Sequence, residues 1–245
     1  MSLLSQLTWP EVGELAAAGA TLVVPFGSTE QHGPYLPLST DSDLAQALAI
    51  ALDSLRPDLV VAPVVPFGSS GEHAGFPGTL SIGQEAVEHL LRELGRSAKE
   101  TFAHLLIVSA HGGNAEPLAR AIRQLRQESV DVLLWCPQWR GDAHAGQVET
   151  SLMLHLRKGS VRRKRTASGN TQPLSQLLPI LRTSSVRAVS PNGILGDPGG
   201  ASAVAGSRIF ADLVEDLRVA VASWRGPASS KAGRDVAPAP LDARP

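Results

Sequence analysis

A single cysteine, Cys136, occurs in the 245 residues, which excludes an intramolecular disulfide framework and any zinc site built from several thiolates. Any metal must therefore be held by nitrogen and oxygen ligands. Aromatic residues make up 4% of the chain and Tyr35 is its only phenol, so the core has to be built from Leu, Val, Ile and Ala, a composition that suits helices packed on a parallel sheet. An excess charge of either sign is also missing: 22 Lys and Arg face 23 Asp and Glu, leaving no polyanion-binding signature, and no nucleic-acid partner is expected. No apolar run approaches the about 20 residues that span a bilayer, and Met1 to Pro10 lacks the basic start and apolar stretch of a secretory signal. These absences predict a soluble, cytoplasmic protein with no membrane partner.

What is present is 43% hydrophobic residues in alternating patterns. Apolar runs at Ala20 to Phe26, Leu59 to Phe67, His104 to Ala110 and Asp131 to Cys136 read as strands buried on both faces. Helical spacing at Asp41 to Leu55, Gln84 to Phe102 and Ala115 to Gln127 falls between them, a further helix follows Glu149, and another runs from Ala201 to Trp224. This alternation predicts an α/β fold, a three-layer α/β/α domain with a mainly parallel sheet, whose ligands sit at the carboxyl ends of the strands. One domain is expected over residues 1–225. From Gly226 to Pro245, Ala, Pro, Ser and Gly dominate, and this segment is expected to be a disordered tail. The basic run Arg162, Arg163, Lys164, Arg165 reads as a solvated loop.

The polar residues that follow the strands carry the chemistry. After the first strand, Glu30 and His32 are two apart and, in an extended segment, point to one side, so a carboxylate and an imidazole can converge on one cation. Asp41 opens the next helix, where it reads either as an N-cap or as a further ligand. The third strand delivers His111-Gly112-Gly113-Asn114, whose glycines form a tight turn that lets a ligand approach the backbone; the P-loop Lys-Ser/Thr and Gly-x-Gly-x-x-Gly patterns are absent. After the fourth strand, His144 and Glu149 again stand at a strand-to-helix junction, where Glu149 alone would read as a favourable helix-end charge. In the loop Gly68 to Thr79, His73 reads either as a residue of the same pocket or as a solvent-facing histidine on a loop shaped by Gly and Pro, and Trp135 and Trp139 read either as walls of an aromatic pocket or as core.

With these blocks in order, the chain resembles the creatininase family of metal hydrolases. The resemblance rests on Ser28-Thr29-Glu30-Gln31-His32-Gly33-Pro34 with Leu36-Pro37 and Asp41, on Phe76-Pro77-Gly78-Thr79, on His111-Gly112-Gly113-Asn114, and on His144-Ala145-Gly146 with Glu149-Thr150-Ser151. Within the family, Gly196-Asp197-Pro198 with Ala201-Ser202 look most like the mycofactocin-system peptidases, which release a modified C-terminal Val-Tyr dipeptide from a precursor peptide. The resemblance implies two divalent ions per chain, Fe, Zn or Mn, with Asp41 bridging, Glu30 and His111 on one ion and His32 on the other. Creatininase carries a ligand glutamate where this chain has Gly113, so Glu149 is expected to replace it, as ligand or as proton-transfer group. That departure counts against creatinine as substrate.

The expected activity is amide or peptide hydrolysis by a metal-activated water, with His144 passing a proton to the leaving nitrogen because its ordinary pKa lies near neutrality. His73, Gly112 and Trp139 are expected to contact the peptide or small amide substrate. A Gly-x-Ser-x-Gly elbow is absent, which sets a serine nucleophile aside. Creatinine amidohydrolase and formamide deformylase are the competing activities, and a non-catalytic metal- or ligand-binding protein is the competing class. A homo-oligomer, with a hexamer as the candidate stoichiometry, is the expected assembly.

Overall fold

The computed structural model describes residues 2–138 and 141–225. The chain runs α1 (Trp9–Ala17), β1 (Thr21–Phe26), α2 (Thr40–Leu55), β2 (Leu59–Val61), α3 (Gly83–Lys99), β3 (His104–Ser109), α4 (Ala115–Gln127), β4 (Val132–Trp135), α5 (Gln147–Leu156), α6 (Leu174–Thr183), α7 (Val186–Val189) and α8 (Ala203–Trp224). The strands form one parallel sheet in the order β2-β1-β3-β4. Side chains alternate across it. Leu22, Val24 and Phe26 of β1 with Leu105 and Ile107 of β3 pack toward Val87 and Leu91 of α3 and Leu118, Ile122 and Leu125 of α4. Val23, Leu106 and Val108 face the other way, onto Leu44, Leu48 and Leu52 of α2 and Leu213, Leu217 and Val221 of α8. The result is the expected three-layer α/β/α arrangement.

Two differences from the expected elements have physical causes. The second strand stops at Val61 instead of reaching Phe67, because Pro63 and Pro66 cannot donate to a ladder; Val65 still reaches Pro25 O through its own N–H. The N-terminal helix α1 was not expected from apolar spacing. It is set by a capping box between Thr8 and Glu11 with Pro10 in its first turn, and none of its residues is buried.

The topology decides where ligands meet. From β1 the chain goes through α2 to β2 on one side, while β3 lies on the other side with Phe26 and Ser109 paired at the carboxyl ends. That is a switch point, and the loops leaving β1 and β3 open side by side there.

Candidate metal centre

Four loops converge at this point. The loop after β1 brings Glu30, Gln31 and His32, and Asp41 follows in the first turn of α2. The segment after β2 brings His73 on a one-turn 3-10 helix, the β3 loop brings His111, and the segment after β4 brings His144 and then Glu149 on α5. All eight side chains are buried; Glu30 is 1% exposed, and His32 not at all. Asn114 staples three of these segments, accepting from Ser69 N–H at 2.8 Å and donating to Gly27 O at 2.9 Å. Gly27 and Gly68 must be glycines here, since a Cβ at either would lie 2.4–2.5 Å from Ser42 or Asn114.

Asp41 is not an N-cap. It is the second residue of α2, and its two oxygens face different histidines: Oδ1 lies 3.2 Å from His32 Nε2, and Oδ2 lies 3.4 Å from His111 Nδ1. Ser28 also donates to Oδ2 at 2.6 Å. Each of these histidines uses its other nitrogen on a main-chain carbonyl, which can only accept. His32 Nδ1 donates to Glu30 O at 3.2 Å, and His111 Nε2 to Ser69 O at 2.9 Å. Glu149 lies beyond His32, its Oε2 3.9 Å from His32 Nε2 and accepting from Ala145 N–H at 2.5 Å. Glu30 Oε2 lies 3.2 Å from His111 Nε2 yet receives no hydrogen bond.

Three overlapping groups therefore bring ligand atoms within 4.8 Å of one another: Glu30, Asp41 and His111; His32, His144 and Glu149; and Glu30, His73 and His144. Crowding divides the charges. Burial opposes a charge on His32, but Asp41 foremost, then Glu149 and Glu30, hold its pKa up at about 10. His111 is likewise raised against its burial by Glu30 and Asp41. Asp41 is held below the usual carboxylate range: its burial is outweighed by His32 and His111. Burial pushes Glu30 and Glu149 up.

His73 falls to about 3 and His144 well below its ordinary value, through burial and then the neighbouring imidazoles. This corrects the premise that His144 titrates near neutrality: with 7% exposure beside His32 and His73, it rests neutral.

His73 does not face solvent, being 3% exposed with Nε2 3.3 Å from Glu30 Oε1. Gly112 is exposed, with open space where a Cβ would point. Trp135 belongs to the core and donates to Asp216 at 2.8 Å, away from the centre. Trp139 and the tail 226–245 lie outside the described residues. Sequence reasoning gave no role to Gln31, which touches two of the histidines, or to Glu72, whose Oε1 is 3.8 Å from His111 Nε2 and 2.6 Å from where a Cβ on Gly113 would stand. Gly193 and Leu195 also wall the site, through Gln31 and His144.

Residues 5–221 match the family profile described as Creatininase: Creatinine amidohydrolase. The chain is 45% identical over 232 residues, 91% of its own length and 92% of the relative's, to the mycofactocin precursor peptide peptidase of Mycobacterium ulcerans (strain Agy99). In fold it is similar to a manganese form of creatininase, with a TM-score of 0.78 at 23% identity over 93% of this chain and 100% of that one. A creatininase variant of Zn–Zn type gives a TM-score of 0.77 at 23% identity over the same shares. With a profile spanning most of its length and a curated relative of that identity, the chain belongs to the creatininase family.

Proposed function

We propose that the chain is a metal-dependent peptidase that cuts near the C-terminus of a modified precursor peptide, releasing the Val-Tyr dipeptide of the mycofactocin precursor. Membership of the family makes it a hydrolase of C–N amide bonds, and the name of its Mycobacterium ulcerans relative supports the peptide substrate. One observation carries the metal dependence: Asp41 divides its two oxygens between two histidine-carboxylate groups at the carboxyl ends of β1 and β3. The residues fit two divalent ions. Glu30 Oε2 is buried without a hydrogen-bond partner, and His32 and His111 each pin one nitrogen on a carbonyl and turn the other toward Asp41, the usual way a ligand imidazole is oriented.

In this reading Glu30, Asp41 and His111 would hold one ion, and Asp41, His32 and Glu149 would hold the other. Bound Zn, Mn or Fe supplies Lewis acidity toward the scissile carbonyl and acidifies water. The chain's own residues do the rest. His144, neutral at rest, accepts a proton and returns it to the amide nitrogen as the C–N bond breaks, so one water is consumed and a carboxylic acid and a free amine leave. Burial of the donors excludes bulk water, and His73 and Gly112 border the space for the peptide. Among the described residues no helix is long and apolar enough to cross a membrane. Independently of that, the reading takes the working form to be a cytoplasmic homo-oligomer, with a hexamer as its candidate stoichiometry. Exposed Leu38, Phe67, Leu80 and Ile82 supply apolar surface for that assembly.

The test is mass spectrometry of a synthetic precursor C-terminus incubated with protein stripped by chelation and reloaded with Fe, Mn or Zn. Dipeptide is expected from reloaded protein only. Turnover of creatinine or a formamide without dipeptide release would move the assignment to those activities, and binding without turnover of any amide would make the chain a non-catalytic metal protein.

A further inference from the structure

Gln31 stands between Glu30 and His32 in the chain with its amide against His73 and His144, and its hydrogen bonds admit one solution. Its Oε1 accepts from the Gly33 N–H at 2.9 Å, which fixes the orientation of the amide and makes Nε2 a donor. Three atoms surround that nitrogen: Gly193 O at 2.9 Å, His73 Nδ1 at 2.8 Å and His144 Nε2 at 3.0 Å. Two hydrogens are available for them. Gly193 O can only accept, so it takes one. His144 Nε2 also stands 2.8 Å from the main-chain oxygen of Gln31, a contact that is attractive only when the ring nitrogen carries the hydrogen. The second amide hydrogen therefore goes to His73 Nδ1, and the hydrogen of His73 lies on Nε2, 3.3 Å from Glu30 Oε1.

We infer that Gln31 is a positioning residue that fixes the tautomers of His73 and His144. Through it, His73 becomes a donor that holds Glu30 Oε1, while His144 presents Nδ1 to the centre. The group formed by Glu30, His73 and His144 is then a hydrogen-bonded support and not a third cation site. Its effect is to commit one oxygen of Glu30 to His73 and leave Oε2, the oxygen without a hydrogen bond, for an ion. The space is built for the amide: Gly193 has φ +81°, and a Cβ there would lie 1.9 Å from Gln31 Oε1. The consequence for metal binding rests on the proposed function, whereas the tautomers do not.

The experiment is 1H–15N NMR of the full-length chain labelled with 15N-histidine, metal-free and zinc-loaded, with signals assigned by His73→Gln and His144→Gln. Wild-type His73 is expected to show a protonated Nε2 and a bare Nδ1 in both states, and metal-free His144 a protonated Nε2. In Gln31→Glu, whose carboxylate can only accept, His73 gains a proton on Nδ1. Zinc affinity, read by chelator competition without any substrate, falls about 10- to 100-fold in Gln31→Glu and Gln31→Met. A bare Nε2 on His73 in the wild type, or a zinc-shifted one, overturns the inference even if neither variant folds. Unchanged zinc affinity in folded variants overturns it too. A chain with the expected tautomers that cleaves no peptide would fail the functional reading alone.

Discussion

At the scale of single residues, the site is a set of charges that would not be buried together without compensation. Asp41 faces both donor groups, so Asp41→Asn should reduce bound zinc to less than one ion per chain. Glu149→Gln leaves Glu30, Asp41 and His111 intact and should keep one ion. Metal analysis of the two purified variants distinguishes them, and equal metal content would dismiss the bridging role. The metal-free protein also stores protons. His32, with its pKa raised to about 10 by Asp41 against its burial, is protonated at pH 7, and an ion using Nε2 must displace that proton. Zinc uptake at pH 7 should therefore release at least the proton of His32, with further release from His111 and the raised carboxylates Glu30 and Glu149, and with affinity climbing as pH rises toward 10. A weakly buffered titration with an indicator dye measures this, and uptake without acidification would contradict it. That Glu30, His32, Asp41 and His111 converge was legible in the sequence from their places after the strand ends taken together with the family resemblance, since Asp41 alone also reads as a cap. Gln31 was not, because an amide shows its value only through the three partners that folding brings to it.

At the scale of elements, the loops are held from outside by helix contacts that sequence spacing does not show. α8 lies against α5 so closely that a Cβ on Gly206 would stand 1.9 Å from Ser151 O, a backbone atom unable to move without the helix. α5 carries Glu149 two residues earlier. Gly206→Ala should cost about 1–3 kcal/mol through overpacking and lower the melting temperature. It should also weaken the second ion more than the first, because the displaced helix bears only the Glu149 side of the centre. Calorimetry with metal analysis checks both, and an unchanged melting temperature would show that the helices can part without strain. The four strands and the principal helices were readable from apolar periodicity, with α4 at its expected bounds. Helix α6 was missed although its apolar residues are plentiful, since Pro179 interrupts the pattern. Helix α1 was missed for the opposite reason: it buries no residue, so its signal lies only in its cap.

At the scale of the whole molecule, the domain closes through its last described residue. Arg225 binds Asp58 at 2.7 Å and so ties the end of α8 back to the start of β2. Deleting residues 226–245, which are poor in large apolar side chains, should leave melting temperature and dipeptide release unchanged. A large loss in either would show that the segment docks. The centre itself is drawn from distant parts of the chain: 108 residues separate Asp41 from Glu149. At about 5–20 residues per second, a ribosome takes on the order of 5–20 s to pass from one to the other. For the first 70 of those residues Glu30, His32 and Asp41 lack both His111 and Glu149, and for the remaining 38 they still lack Glu149. On the proposed two-ion reading both sites are complete only once translation has passed α5, so the metal retained would be one that meets the finished centre and not one met first by the nascent chain.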